Sequence, residues 1–310
     1  MAQGIPGERP VTRPFVTSDG TPLRVEQTGP ADADDTLVLV HGWTQDHRSW
    51  DRVVAELPRS IRVLRYDLRG HGESGQATPA TATIDQLADD LAELIARRVP
   101  EGRLVLAGHS MGGMTIMALA DRHPELVANR VEGVAFVATS CGGMNNISLG
   151  LPGFVGRGAA KAERRLAKLL VAYRREALPL RPGAVRAGAR WLVFGSKPRR
   201  ADVASVAEQL LCAHPASVGG FQNAISLHER RTALAALRTA TTVVLAGDAD
   251  RLCPAPHARA IADELPGARL VLFPGAGHML QQERAHEVAE QLGRLLTTVR
   301  TEKPKVALGA

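Results

Sequence analysis

The chain has 310 residues, with 38 Lys+Arg against 32 Asp+Glu for a formal net charge of +6, 45% hydrophobic residues and 4% aromatics. A chain this apolar can build a large core and is not disordered, and no apolar run approaches the roughly 20 residues of a membrane span, so collagen, coiled coil and membrane-spanning architectures are excluded. Three scattered cysteines, Cys141, Cys212 and Cys253, lack any CxxC or Cys/His spacing, which argues against a disulfide framework and a zinc site and leaves them as small buried hydrophobes.

Along the chain, residues 1–10 carry neither a basic nor an apolar signal region, so no signal peptide is expected and the location expected is cytoplasmic. An antiparallel pair is predicted at 15–17 and 23–27, joined by the turn Ser18-Asp19-Gly20. Continuous Val/Leu/Ile runs follow at 37–40, 61–66, 104–107, 131–138, 241–246 and 269–273. Such runs suit strands buried on both faces, the pattern of a parallel sheet. Helical periodicity lies between them, at 84–99, 111–122, 256–264 and 283–297. Strand and helix alternate, which predicts an α/β fold with a right-handed, doubly wound sheet.

Residues 141–235 break the rhythm, with helical patterning and no strand-like run, and are expected to form a helical lid inserted in a core of 14–140 and 236–298. The ends, 1–13 and 299–310, are expected to be flexible tails. Arg outnumbers Lys by 33 to 5, a bias that G+C-rich coding alone would produce, and no basic stripe is interleaved with aromatics, so no nucleic-acid partner is implied. The charge is nevertheless uneven. Residues 151–200 hold 13 basic and two acidic residues, and the other 260 carry a net of −5. Leu166, Leu169, Leu170 and Tyr173 share one stripe of that basic segment. This reads either as a solvated face over a pocket or as a surface that attracts anionic substrates, an acyl-carrier partner or, weakly, an acidic membrane surface.

Gly108-His109-Ser110-Met111-Gly112 fits G-x-S-x-G between a predicted strand and a predicted helix, the context in which a sharp turn exposes a nucleophilic serine. Outside that context Ser110 would be an ordinary helix N-cap. A serine hydroxyl needs a base, and the base needs an orienting acid. His278, in the Gly-rich loop after the last run, is the candidate base. Asp248 and Asp250 follow the fifth run. Asp250 is preferred because it lies further into the loop, with Asp248 read as a turn residue. Two donors are needed for an oxyanion. The N–H of Met111 follows the nucleophile, and the N–H of Trp43 stands in the loop His41-Gly42-Trp43 after the first parallel strand. His41, Gly42, His109 and Met279 flank these positions and are expected to line a substrate pocket.

Together with Asp67-Leu68-Arg69-Gly70-His71-Gly72-Glu73-Ser74, Gly247-x-x-Asp250 and Gly277-His278, these motifs resemble the α/β-hydrolase superfamily over about residues 14–298. The resemblance implies a mostly parallel eight-stranded sheet flanked by helices, with a helical lid after strand six. It also implies a Ser110-His278-Asp250 triad and no metal or organic cofactor. The serine disfavours the Asp-nucleophile epoxide hydrolases and dehalogenases, and the missing His-Gly-Gly-Gly disfavours the hormone-sensitive-lipase-like esterases. Three functions follow as expectations. The first is a serine hydrolase of a carboxylic ester or lactone with a small-molecule substrate. The second is a thioesterase, C–C hydrolase or cofactor-free perhydrolase on the same triad. The third is a non-enzymatic ligand receptor on the same scaffold.

Overall fold

The computed structural model describes residues 11–144 and 180–301, together with 158, 162, 165–167 and 169–171. Eight strands form one sheet: β1 Val11–Val16, β2 Pro22–Thr28, β3 Asp35–Val40, β4 Arg62–Tyr66, β5 Arg103–His109, β6 Val131–Val137, β7 Thr241–Gly247 and β8 Arg269–Phe273. Their spatial order is β1-β2-β4-β3-β5-β6-β7-β8. β2 is antiparallel to β1 and β4, and every other pairing is parallel. This is the mostly parallel sheet expected from the resemblance.

The continuous apolar runs have a simple cause. Val38, Val40, Leu64, Leu104, Leu106, Val134 and Phe136 join a core on one face, with Leu87, Leu91, Met114 and Met117 of the helices there. Their neighbours Leu37, Leu39, Val63, Val105, Ala107, Ala135 and Val137 join a second core on the other face, with Val53, Leu292 and Leu296. Adjacent residues point to opposite faces, and both faces are covered by helices, so no polar alternation survives.

The helices are α1 Asp51–Glu56, α2 Ile84–Arg98, α3 Met111–Arg122, α4 Pro124–Arg130, α5 Pro182–Val193, α6 Arg200–Cys212, α7 Pro215–Ser226, α8 Ala255–Glu264, α9 Leu280–Glu283 and α10 Ala285–Thr301. The helix predicted at 283–297 is broken at Arg284, where φ −131° and ψ 41° leave the helical region and separate α9 from α10. The expected tails are also shorter at their inner ends. Residues 11–13 pair with β2, residues 299–301 complete α10, and the remainder lies outside the described residues. Cys141 and Cys253 are buried as expected, but Cys212, the last residue of α6, is exposed.

Between β6 and β7 the described residues contain α5, α6, α7 and the 3-10 turn Thr232–Leu237, with no strand. Much of the basic segment, including Arg157, Lys161, Arg164, Lys168, Tyr173, Arg174 and Arg175, lies outside the described residues. Leu166 and Leu169 of the proposed apolar stripe are exposed, at 54% and 68%, and Leu170 is half-buried. No helix among the described residues is long and apolar enough to cross a membrane.

All parallel strands end on the same edge of the sheet, where the loops converge. Two of these loops hang on one carboxylate. Asp67, at the end of β4, accepts the backbone N–H of His47 at 2.8 Å, the His47 ring Nδ1–H at 2.6 Å and the backbone N–H of Glu73 at 2.8 Å. It therefore fixes the loop after β3 and the loop after β4 together. Burial pushes the Asp67 carboxyl up, but His47, His41 and the Glu73 N–H outweigh it and hold the group at about 2. Because the folded value lies below the unfolded one, its stabilisation is full above about pH 4 and is lost as pH falls toward 2. Asp67→Asn turns an amide nitrogen toward a donor and is expected to destabilise the fold by about 1–3 kcal/mol at pH 7. In urea titrations the gap between wild type and variant should shrink at pH 3; an equal gap at both values would contradict this role.

Candidate active site

Ser110 joins β5 to α3 with φ 52° and ψ −117°, a conformation that L side chains rarely adopt. The only other described non-glycine residues with positive φ are Thr44, in the loop after β3, and Ala138, directly after β6. Backbone strain is therefore gathered along one edge of the sheet. The turn is tied from several sides. Ser110 N–H donates to Val137 O at 2.9 Å, and Ser110 O accepts Gly113 N–H at 2.9 Å and the Thr139 hydroxyl at 2.7 Å. The turn also requires flanking glycines. A Cβ on Gly108 would lie 2.5 Å from the Gly112 carbonyl, and one on Gly112 would lie 2.3 Å from Val40 O. Thr139 was not anticipated; its only signal is a hydroxyl directly after the fourth apolar run.

His278 stands in the loop after β8 and is 4% exposed. Its Nδ1 is 2.8 Å from Asp250 Oδ2. The other carboxylate oxygen of Asp250 accepts the N–H groups of Leu252 at 2.8 Å and Cys253 at 2.9 Å. Burial pushes the Asp250 carboxyl up, but His278 and these N–H donors bring it below its ordinary value, so it is ionised at neutral pH. A carboxylate only accepts, so the ring proton of neutral His278 sits on Nδ1 and its Nε2 carries a free lone pair. Asp248, the alternative acid, instead accepts the Gly275 N–H at 2.6 Å as a turn residue. Cys253 is buried, and burial raises its thiol well above the ordinary range, so it is no thiolate nucleophile beside the site.

Met111 is the first residue of α3, where an N–H has no partner within the helix, and Trp43 lies in the loop after β3. Among the described residues neither N–H has a hydrogen-bond acceptor. Gly42 brings this loop close to the serine, since a Cβ there would meet His109 Nδ1 at 2.7 Å and Ser110 Cβ at 3.2 Å.

His41, Gly42, His109 and Met279, the residues expected to line a pocket, are all buried. His41 is 0% exposed; its Nε2 accepts Leu68 N–H at 2.9 Å and its Nδ1–H donates to Gly42 O at 2.8 Å. Burial lowers its pKa, and this neutral ring pins the Trp43 loop. His109 is also buried and lowered to about 3 by burial, and its Nε2–H donates to His278 O at 3.0 Å. It supports the His278 loop from beneath. Met279 is 2% exposed and packs with Phe194, Val203 and Val206 of the insertion.

Asp46, His47 and Asp67 offer ligand atoms within 4.8 Å of one another. Asp67 holds His47 and Glu73, and Asp46 holds the Arg48 guanidinium at 2.7 Å, so this cluster is a hydrogen-bonded support.

Residues 37–291 match the model of the alpha/beta hydrolase family. Pimeloyl-(acyl-carrier protein) methyl ester esterase of Nitrosomonas europaea is 30% identical over 267 residues, covering 83% of this chain and 92% of that protein. A thermophilic esterase from Thermogutta terrifontis, solved with malate bound, superposes with a TM-score of 0.74 at 26% identity, over 94% of this chain and 100% of that one. A hydrolase from Pseudomonas aeruginosa gives a TM-score of 0.72 at 27% identity, over 92% and 98%.

The close approach at Gly112 is directly testable. Gly112→Ala drives a methyl into backbone and is expected to lose about 1–3 kcal/mol of stability. Gly293→Ala, in α10 with nothing within 4 Å of the added carbon, should gain about 0.5–1 kcal/mol. Chemical denaturation of both variants checks the pair; a neutral Gly112→Ala would contradict the packing described.

Proposed function

The chain belongs to the alpha/beta hydrolase family, and from that premise we propose that it is a serine hydrolase cleaving a carboxylic ester or lactone through an acyl-enzyme. The observation that carries this reading is the 2.8 Å bond between buried Asp250 and His278, on the same sheet edge as the strained Ser110. Ser110 Oγ attacks the substrate carbonyl carbon while His278 Nε2 takes the hydroxyl proton. Asp250 keeps the ring proton on Nδ1 and stabilises the imidazolium that forms. The N–H groups of Met111 and Trp43 hold the carbonyl oxygen as it becomes an oxyanion. The tetrahedral centre collapses, the C–O bond to the alcohol breaks, and His278 returns the proton to the leaving oxygen. Water, deprotonated by His278, then attacks the acyl group, and Ser110 recovers its proton. Residues 14–140 and 236–298 form the catalytic core in this reading, and 141–235 form the cap.

The same residues would serve a thioester, and one observation bears on the substrate. Arg181, Arg186, Arg190, Lys197, Arg199 and Arg200 are all exposed, no acidic residue lies between 180 and 200, and among the described residues none of the six is in an ion pair. A related esterase acts on an acyl-carrier-linked methyl ester. We therefore favour an ester whose acid or carrier part is anionic, drawn in by the cap.

A fluorophosphonate probe is expected to label Ser110 of the wild type and to leave Ser110→Ala unlabelled. Asp250→Asn and His278→Ala should each lower kcat/KM on a p-nitrophenyl ester by about 10³- to 10⁴-fold. A folded wild type that takes no label would overturn the serine mechanism. For the cap, raising the ionic strength should depress kcat/KM by roughly tenfold or more on a dicarboxylate monoester and hardly at all on a neutral ester. Equal salt sensitivity on the two substrates would refute the electrostatic part.

A further inference from the structure

Glu283 closes α9, five residues beyond His278, and no step of the proposed chemistry uses it. Its carboxylate is divided between two segments far apart in sequence. Oε2 accepts the Gly195 N–H at 2.8 Å, from the insertion. Oε1 accepts the Gly277 N–H at 3.0 Å, from the loop that carries His278. Around this bridge the two backbones touch directly. A Cβ on Gly195 would lie 2.1 Å from Gly275 O, and one on Gly277 would lie 2.5 Å from Gly195 N. His278 N–H and Met279 N–H both donate to Val193 O, at 2.9 and 3.1 Å, and Ser196 N–H donates to Gly275 O at 3.0 Å. On the outer side Arg251, next to the acid, donates to the carbonyls of Trp191 and Phe194.

We propose that Glu283 is a positioning residue whose carboxylate clasps the insertion to the His278 loop, so that the place of the His278 imidazole is set partly by the insertion. The chemistry of the clasp is specific. Both partners are N–H donors on separate segments, so the bridging group must offer two acceptors and no donor. An ionised carboxylate does this. A glutamine of the same size keeps one acceptor and turns an NH₂ toward the other N–H, and alanine keeps neither. The group is half-buried, and burial raises its pKa above the ordinary value; the Gly195 and Gly277 N–H groups and Arg284 favour its ionised form, and Asp250 opposes it. The role assigned to His278 rests on the serine-hydrolase reading, whereas the clasp itself does not.

Glu283→Gln separates the two. Amide exchange at Gly195 and Gly277 is expected to quicken by roughly tenfold in the variant, while the amides of β5 and β6 keep their protection. Turnover of a p-nitrophenyl ester, counted per fluorophosphonate-titrated site, should fall on the order of tenfold with KM changed less than about threefold. A Glu283 that only adds stability would lower the number of titratable sites and leave turnover per site unchanged, and that result overturns the positioning role. If the wild type takes no label, the serine-hydrolase reading falls by itself. The clasp is then judged by exchange alone, and unchanged exchange at Gly195 and Gly277 overturns it. The isosteric glutamine keeps the test open if Glu283→Ala does not fold.

Discussion

A serine held at φ 52° is the constraint around which this molecule is arranged. An L residue in that region lies about 1–3 kcal/mol above its relaxed backbone, and it stays there only where its surroundings leave no alternative. Here the surroundings are the middle of the sheet. β5 lies between β3 and β6, so the strand that delivers Ser110 cannot shift, and Gly108 and Gly112 let α3 leave at once against Val40. Val137, Gly113 and Thr139 then occupy the polar groups of the Ser110 backbone. The hydroxyl is left outside the ladder with the N-terminus of α3 behind it, where the unpartnered N–H of Met111 and the positive end of the helix dipole favour negative charge.

The rest of the edge supports the loops that share it with that serine. Asp67 and the neutral ring of His41 fix the Trp43 loop from below. His109 props the carbonyl of His278, and Asp250 holds its ring. The insertion joins the same scheme. The Trp43 indole N–H donates to Val218 O at 3.2 Å, Gln209 accepts the Asp46 N–H at 3.0 Å, and Val193 O receives the His278 N–H at 2.9 Å. It thus touches both the loop after β3 and the loop that carries His278.

The sheet could be read from the sequence because strands buried on both faces leave unbroken apolar runs, and six such runs fall within or closely overlap β3 to β8. The placement of Ser110, Asp250 and His278 on one edge of the sheet was legible because each follows such a run and each sits among glycines or turn residues that serve no core. Other features left no such mark. α1 is six residues long, too short for a helical period, and its preceding turn starts from Asp46, whose capping bond to Arg48 N–H is a local fact. His41 and His109 lie beside the motifs but point inward, and burial of a histidine is decided by packing that no spacing reveals. Glu283 looked like the first polar residue of a helix because its partner Gly195 is 88 residues away. The cap's net charge was visible, whereas the exposure of Leu166 and Leu169 on it was not.

The most direct test of the account is a crystal structure of the protein inhibited by a fluorophosphonate. Phosphorus is expected on Ser110 Oγ, with its oxygen about 2.7–3.1 Å from the N–H nitrogens of both Trp43 and Met111 and His278 Nε2 on the leaving-group side. Phosphorus on any other residue, or an oxygen that meets neither N–H, would contradict it.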